Sequence, residues 1–249
     1  MSPNLIQRLS AEALGTLLLV FFGTAATLAA TAGTLGTALA FAVALAVAVW
    51  AVGGVSGAHV NPTVTIALAV RGRFAWRDVP GYLLAQLVGG VLAGLLAWAV
   101  YGKTAIVAGL GGAVHLSAGH TVLIGLVVEA LAAFLLVLAY CAVSAEERGG
   151  RVAAGLGIGL AYGTAILALA PITGASANFA RTFGTDVSLA LGGGHAYWGD
   201  LWIYAVGPLV GGIVAVFVYD VLIAGRPLMA PTTRRLITRR TGPAATRPA

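Results

Sequence analysis

The chain of 249 residues is 59% hydrophobic and only 9% charged, with a mean hydropathy of +0.97. Soluble domains carry about 25% charged residues, so this composition predicts an integral membrane protein. A single cysteine, Cys141, excludes an internal disulfide and a cysteine-based metal cluster. The formal net charge of +6 could suit a nucleic-acid partner, but the distribution of the basic residues favours membrane topology and attraction to anionic lipid instead.

Six apolar stretches of the chain are each predicted to be a transmembrane helix. They lie at about residues 9–30, 37–52, 80–101, 121–143, 152–170 and 201–223, and the second is expected to extend into the glycines that follow it. Pro171 is predicted to stop the fifth helix, because proline cannot donate a helical hydrogen bond. Residues 102–119 are predicted to form a long glycine-rich connection.

Two further segments are too short to span a bilayer, which requires about 20 residues. They begin with Asn61-Pro62-Thr63 and Asn178-Phe179-Ala180, each after a turn of small residues that contains glycine. Asparagine followed by proline and good helix formers predicts a helix N-terminus, with Asn61 as the N-cap and Pro62 at the first helical position. Two such half-helices, one in each half of a membrane protein, are typical of a pore or a transport site.

The spacing of several residues reveals an internal repeat. Asn178 follows Asn61 by 117 residues (178 − 61), and Glu129 follows Glu12 by the same interval (129 − 12). Each repeat, at about residues 9–101 and 120–223, contains three spans. Because three is an odd number, the second copy is inserted upside down, and the two half-helices are expected to enter from opposite faces. The predicted fold class is therefore an all-α membrane protein with six transmembrane helices and two re-entrant half-helices in an inverted repeat.

The basic residues indicate the orientation in the membrane. With six spans, one side of the bilayer receives nearly all of them: Arg8, Arg71, Arg73, Arg77, Arg148, Arg151 and the six arginines from Arg226 to Arg247. By the positive-inside rule, the N- and C-termini of this multi-pass protein are predicted to be cytoplasmic, in the cell membrane. Residues 1–225 are predicted to form a channel domain, and the basic tail 226–249 is expected to be disordered.

The chemistry of a helix N-terminus indicates what the paired half-helices can do. Such an end carries roughly half a positive charge and N–H groups without internal partners, so two of them facing each other repel cations and disfavour hydronium. Each asparagine can cap its helix with its side-chain oxygen and direct its NH₂ group toward the lumen. Asn61 and Asn178 could be helix caps alone, but their pairing favours a pore centre that binds the oxygen of water or an alcohol.

Four other ionisable residues are candidates for a role in the membrane. Arg181 is a basic residue in an apolar setting, where a charge normally faces a cavity or a partner. Glu12 and Glu129 could form a proton relay, but their pairing with the half-helices favours a structural role as acceptors for non-helical backbone N–H groups. His59 lies in the first re-entrant turn and is predicted to line the inner pore mouth.

No enzyme is predicted from this sequence. The four histidines do not show metal-ligand spacing, no nucleophile set is recognisable, and no metal or cofactor is expected. The leading interpretation is a passive channel for water and small uncharged solutes that excludes protons and ions. The alternative is an ion-coupled secondary transporter of a small polar solute, since such proteins also contain broken helices.

At these residues the chain resembles the major intrinsic protein family, the aquaporins and glycerol facilitators. Two segments carry the resemblance: Ser-Gly-Ala-His-x-Asn-Pro before Thr63, and Thr-Gly-x-Ser-x-Asn-x-Ala-Arg-x-Phe-Gly around Asn178. It implies a homotetramer with one pore per subunit in the lipid bilayer, with no nucleic-acid partner. The chain departs from the family pattern at Thr63, where alanine is usual, and at Phe179, where proline is usual. Phe179 places a large ring where the two motif prolines of the family would normally touch, which leaves the width of the pore centre open.

The resemblance also implies an outer selectivity filter. Its four positions, carried over by spacing from the two asparagines, are Phe41, Ile166, Ala175 and Arg181. Phe41 matches the aromatic residue of water channels, whereas Ile166 stands where these typically have histidine, and Ala175 is smaller than the usual residue. We therefore expect a water channel with a wider and less polar filter, which passes small solutes such as glycerol as well.

Overall fold

The computed structural model describes residues 3–29, 33–145 and 150–226, and every regular element in these ranges is a helix. The main helices are α1 (Leu5–Ala29), α2 (Gly33–Ser56), α3 (Pro62–Val70), α4 (Val79–Ala108), α5 (Val122–Ala145), α6 (Gly150–Thr173), α7 (Phe179–Leu191) and α8 (Leu201–Phe217). A π-helical turn, Val218–Ile223, extends α8. Short 3₁₀ turns lie at Trp76–Asp78, Leu110–Gly112 and Trp198–Asp200.

Six of these helices are long and apolar enough to cross a membrane, namely α1, α2, α4, α5, α6 and α8. The other two, α3 with 9 residues and α7 with 13, are too short, since a crossing requires about 20 residues. Helices satisfy their backbone hydrogen bonds internally, which is why they are the stable form of such apolar segments in lipid. The predicted fold class is confirmed.

The helices pack as two copies of one arrangement. In the first copy α1 contacts α2 and α4, and in the second α5 contacts α6 and α8. Between the copies, α2 packs against α6, while each half-helix packs against the last long helix of the other copy: α3 against α8 and α7 against α4. This exchange brings the N-termini of the half-helices together at the centre of the molecule.

Two helix ends differ from the sequence prediction. Pro171 does not stop α6, which continues to Thr173, because a proline in the last turn removes a single backbone hydrogen bond that neighbouring groups in a helix bundle can replace. The connection predicted at residues 102–119 begins with helix, since α4 resumes after Gly102 and ends at Ala108. Gly102 has a φ of 79°, a left-handed conformation in which glycine meets no steric penalty.

Glycine allows the closest contacts between helices. A Cβ atom added to Gly90 of α4 would lie 2.2 Å from the carbonyl oxygen of Ala180 in α7. A Cβ added to Gly211 of α8 would lie 1.9 Å from the carbonyl oxygen of Ala130 in α5. Small residues are typical of such contacts in membranes, where van der Waals packing replaces the hydrophobic drive for helix association.

An ion-pair cluster fixes the loop that follows α3. Asp220, buried in the π-helical turn, accepts hydrogen bonds from Arg71 Nε at 2.9 Å, from the Arg73 guanidinium and from Arg226 Nη1 at 3.2 Å. Arg8 of α1 likewise donates to Asp78 at 2.9 Å. The arginines in these contacts are among the basic residues that the sequence analysis predicts on one side of the bilayer. Residues 227–249 of the predicted tail and residues 146–149 lie outside the described ranges.

We expect Gly211→Ala to lower the thermal stability of the purified protein. The added methyl group must displace the Ala130 carbonyl, and such overpacking typically costs about 1–3 kcal/mol. The measurement is the apparent melting temperature in detergent, followed by tryptophan fluorescence.

Gly157→Ala of α6 is the matched control for this substitution. Its added Cβ meets Val143 at 3.6 Å, an ordinary contact, and alanine is favoured over glycine in a helix by roughly 1 kcal/mol. Equal melting temperatures for the two variants would show that the α5–α8 contact tolerates an extra methyl group.

Candidate functional site

Both half-helices begin at an asparagine with extended backbone geometry. Asn61 has φ −158° and ψ 124°, and its Oδ1 accepts a hydrogen bond from the Thr63 backbone N–H at 2.8 Å. Asn178 has φ −148° and ψ 103°, and its Oδ1 accepts from the N–H groups of Ala180 at 3.0 Å and Arg181 at 3.3 Å. Each side chain thus caps the first free N–H groups of its own half-helix.

The NH₂ groups of the same asparagines join the two repeats. Asn61 Nδ2 donates to the carbonyl oxygen of Ala177 at 2.8 Å, and Asn178 Nδ2 donates to the carbonyl oxygen of Val60 at 2.9 Å. The sequence prediction directed these NH₂ groups toward the lumen and did not include a bond to the other repeat. An amide NH₂ carries two hydrogens, so the cross-repeat bond uses one of them and leaves the other for a solute.

The segments that lead into the half-helices have a strained backbone. The φ angles are 50° at Ala58 and 43° at Val60, and they are 45° at Ala175 and 48° at Ala177. Left-handed conformations of this kind cost non-glycine residues roughly 1–3 kcal/mol each and persist only where the surrounding structure holds them. The N–H and carbonyl groups of these segments are not part of a helix and therefore need other partners.

Two buried glutamates supply the partners for the N–H groups. Glu12 accepts from the backbone of His59 at 2.9 Å and of Val60 at 2.7 Å, and Glu129 accepts from Ser176 at 2.9 Å and Ala177 at 2.7 Å. Three side chains donate to the same carboxylates: Ser56 and Gln86 to Glu12, and Thr173 to Glu129. This is the geometry of a structural acceptor for non-helical backbone.

Arg181 lies at the outer end of the pore. Its guanidinium carbon is 4.1 Å from the centre of the Phe41 ring, and its Nη1 donates to Tyr162 Oη at 3.0 Å and to the carbonyl of Ala175 at 3.4 Å. Arg181 and Ile166 both line an outer vestibule of about 340 Å³. The structure therefore brings the four sequence-predicted filter residues together in one neighbourhood.

A narrow central cavity, too tight in this conformation to hold a water-sized sphere, lies on the inner side of this neighbourhood. Its lining is formed by Leu19, Leu45, His59, Val60, Asn61, Leu136, Tyr140, Tyr162 and Asn178. Sequence reasoning missed both tyrosines. Tyr140 donates to the carbonyl oxygen of Ala58, and Tyr162 donates to the carbonyl oxygen of Ser176 at 2.8 Å. The available signal was position: Tyr162 precedes Ile166 by one helical turn, on the same face of α6.

The family model described as Major intrinsic protein matches residues 1–219. The chain belongs to the major intrinsic protein family. Members of this family are membrane channels, and the two short helices with their asparagine caps are the half-helices that the sequence predicts.

Named relatives and a solved structure agree with this assignment. The chain is 37% identical to "Probable aquaporin AqpM" of Archaeoglobus fulgidus, over 89% of this chain and 99% of that protein. It is 35% identical to "Glycerol uptake facilitator protein-like 6" of Lactiplantibacillus plantarum, over 83% and 94%. The structure of the aquaglyceroporin from Plasmodium falciparum superimposes with a TM-score of 0.78 over 89% of this chain and 98% of that one, at 22% identity. This last similarity shows the shared fold.

The two departures from the family motifs have a structural explanation. Thr63, in place of alanine, is buried and packs over Gly212 of α8, where there is no side chain to exclude its methyl group. Phe179, in place of proline, stacks on Phe183 one turn later in α7, with ring centres 6.1 Å apart. Phe179 is not among the residues that line the central cavity.

His59 lies at the inner end of the central cavity. Its ring is buried between Phe74, with ring centres 4.7 Å apart, and Tyr82, at 5.2 Å. Its Nδ1 is 3.1 Å from Thr65 Oγ1. Phe74 belongs to the loop that the Arg71 and Asp220 ion pair fixes, so this loop packs against the His59 ring. In the part of the chain that the structure describes, no three His, Cys, Asp or Glu side chains form a metal-binding group.

We expect Glu129→Gln to lower the yield and thermal stability of the folded protein severely. The amide keeps one oxygen acceptor, so its NH₂ group would face the backbone N–H of Ser176 or of Ala177, and the buried donor left unsatisfied costs about 1–3 kcal/mol. The measurement is the monodisperse fraction in size-exclusion chromatography together with the melting temperature.

The control for this substitution is Asp78→Asn. Asp78 is partly exposed and pairs with Arg8, and such pairs are worth about 0–1 kcal/mol. A Glu129→Gln variant as stable as Asp78→Asn would contradict the role of Glu129 as the acceptor for the re-entrant backbone.

Proposed function

We propose that this protein is a passive transmembrane channel for water and small uncharged solutes, and that it excludes protons and ions. The observation that carries the proposal is the pair of capped helix N-termini at the pore centre. Asn61 and Asn178 both line the central cavity, and their cross-repeat hydrogen bonds hold the two ends together. Neutral donors at this position suit the oxygen atom of water or an alcohol.

Ion exclusion follows from the charges that face the pore. Each half-helix contributes roughly half a positive charge at its N-terminus, and Arg181 adds a full positive charge between the vestibule and the central cavity. A cation that enters loses hydration, and positive groups cannot replace it. The half-helix dipoles therefore form a central barrier and Arg181 an outer one.

Passage of small polyols is supported by the apolar residues of the filter. Ile166 reaches the floor of the vestibule, and the short Ala175 side chain is buried, so only its carbonyl is available to Arg181. An apolar surface opposite a hydrogen-bond donor suits a molecule with a carbon skeleton and hydroxyl groups. We propose glycerol as such a solute, alongside water.

An ion-coupled transporter is the alternative, and the glutamates disfavour it. Coupling requires a site that binds an ion or a proton and is exposed to the substrate path. Glu12 and Glu129 are fully buried behind the re-entrant segments and accept four and three hydrogen bonds respectively. Neither lines the central cavity or the outer vestibule.

The assembly and the orientation are also proposals. We propose a homotetramer with one pore per subunit in the cell membrane, as the family resemblance implies, with both termini in the cytoplasm. The basic loop residues Arg71 and Arg73 and the N-terminal Arg8 support this orientation by the positive-inside rule. We further propose that residues 1–225 form the channel and residues 226–249 a cytoplasmic tail.

Proteoliposomes that contain the purified protein should shrink in an osmotic gradient at a rate linear in that gradient. We expect the same rate with and without Na⁺ or pH gradients, because the pore centre holds neutral donors. The measurement is stopped-flow light scattering against protein-free vesicles. Saturable solute uptake that depends on an ion gradient would favour the transporter instead.

We expect Arg181→Val to raise proton or cation leak while water permeability remains. The substitution removes the charge at the filter but keeps the half-helix dipoles, so the leak should rise several-fold without reaching that of an ion channel. The measurement is the decay of a pH gradient in proteoliposomes with an entrapped dye. Arg77→Val, at an exposed arginine of the loop before α4, is the control and should leave the leak unchanged. Equal leak in both variants would place the barrier elsewhere.

A further inference from the structure

Tyr162 lies where the filter meets the central cavity. Its side chain is almost fully buried and lines the central cavity, together with Asn61 and Asn178. Ile166, four residues later in α6, lines the outer vestibule. Because residues four apart share a helix face, one wall of the pore runs from Ile166 to Tyr162.

The Tyr162 hydroxyl is fully used within the filter. It accepts a hydrogen bond from Arg181 Nη1 at 3.0 Å and donates one to the carbonyl oxygen of Ser176 at 2.8 Å. Arg181 lines the outer vestibule, so its Nη1 is a donor that a permeating polyol would otherwise bind. The Tyr162 hydroxyl therefore uses the hydrogen-bonding capacity of these two partners, and it also orients the Arg181 guanidinium.

The Tyr162 ring also belongs to an aromatic cluster. It contacts the Phe41 ring edge-to-face, with centres 5.7 Å apart and an interplanar angle of 83°. Phe41 in turn lies beneath the Arg181 guanidinium at 4.1 Å. Three side chains from α2, α6 and α7 thus hold one another, and a change in one of them alters the shape of the opening between them.

The inverted repeat shows what this position looks like without a tyrosine. The residue 117 positions before Tyr162 is Leu45 (162 − 117), and Leu45 lines the same cavity from α2. At this position of the cavity lining, α2 therefore contributes an aliphatic side chain and α6 a phenol. The difference between the repeats is a bulky ring with a hydroxyl group directly inward of the filter.

We propose that Tyr162 is a specificity-determining residue of this pore, and that it favours water over polyols. This inference rests on the proposed function. The tyrosine supplies, one helical turn further in, the bulky polar wall group that is absent at Ile166. Its ring narrows the passage, and its hydroxyl withholds Arg181 Nη1 from a polyol.

The test is the ratio of glycerol to water permeability in proteoliposomes of full-length wild type, Tyr162→Phe and Tyr162→Leu. Tyr162→Phe removes only the hydroxyl and should raise the ratio by about threefold, the size of effect of one neutral hydrogen bond. Tyr162→Leu copies the residue of the other repeat and should raise it further, to roughly tenfold, because bulk in a pocket contributes about 10-fold or more to discrimination.

Tyr204→Phe is the matched control. Tyr204 is equally buried, and its hydroxyl donates to the carbonyl of Thr173 at 2.7 Å in the same re-entrant region, but it lies outside the central cavity lining. The ratio of glycerol to water permeability in Tyr204→Phe should equal that of wild type. An unchanged ratio in both Tyr162 variants, or an equal rise in Tyr204→Phe, would overturn the inference. Wild-type vesicles no more permeable to water than protein-free ones would refute the proposed function itself.

Discussion

The structure depends on satisfying non-helical backbone inside a membrane. Lipid offers no hydrogen bonds, so each N–H or carbonyl of the two re-entrant segments needs a protein partner or a water-filled lumen. Glu12 and Glu129 bind the N–H groups from behind, and the asparagines of the opposite repeat bind carbonyls from the front. Neither repeat can complete its own pore segment, because each one uses a donor from the other. The inverted arrangement of the repeats is therefore a requirement of the pore centre and fixes the way in which the long helices pack around it.

The same constraint accounts for the electrostatics of the pore. The acidic residues that stabilise the re-entrant backbone lie behind it, so that the central cavity is lined by Asn61 and Asn178 and by neither carboxylate. Close helix packing holds the half-helices at the centre. Gly90 lets α7 approach α4, and Gly212 lets Thr63 of α3 approach α8. The half-helices are held by contacts with the other repeat along their length and by cross-repeat hydrogen bonds at their ends. A rigid centre of this kind keeps its donors in place as single solute molecules pass, which is the arrangement expected of a channel.

The proposed filter combines side chains of three helices, and in it charge, ring stacking and hydrogen bonding are coupled. Arg181 is fixed from below by the Phe41 ring and from the side by Tyr162, and the Tyr162 hydroxyl is itself fixed by the re-entrant backbone. A filter described only by Phe41, Ile166, Ala175 and Arg181 looks wide and apolar. When Tyr162 is included, the filter also contains a phenol ring with a hydroxyl group, which adds bulk and a polar group that Ile166 lacks. The positions that spacing identifies are therefore a part of the set that shapes the opening.

The sequence by itself determined the membrane class, the six spans, the half-helices and their inverted repeat, because hydropathy, helix capping and equal spacing are local or additive properties. It also placed Glu12 and Glu129 at one fixed distance before Asn61 and Asn178, which indicated a shared backbone role. Only the tertiary structure decided where side chains point. Phe179 stacks on Phe183 away from the central cavity, the asparagine NH₂ groups bind the opposite repeat, and Tyr162 enters the filter. The direction of each of these side chains depends on packing. Either its partner is distant in sequence, or neighbouring helices leave only one side of its helix open, and local sequence patterns and spacing encode neither property.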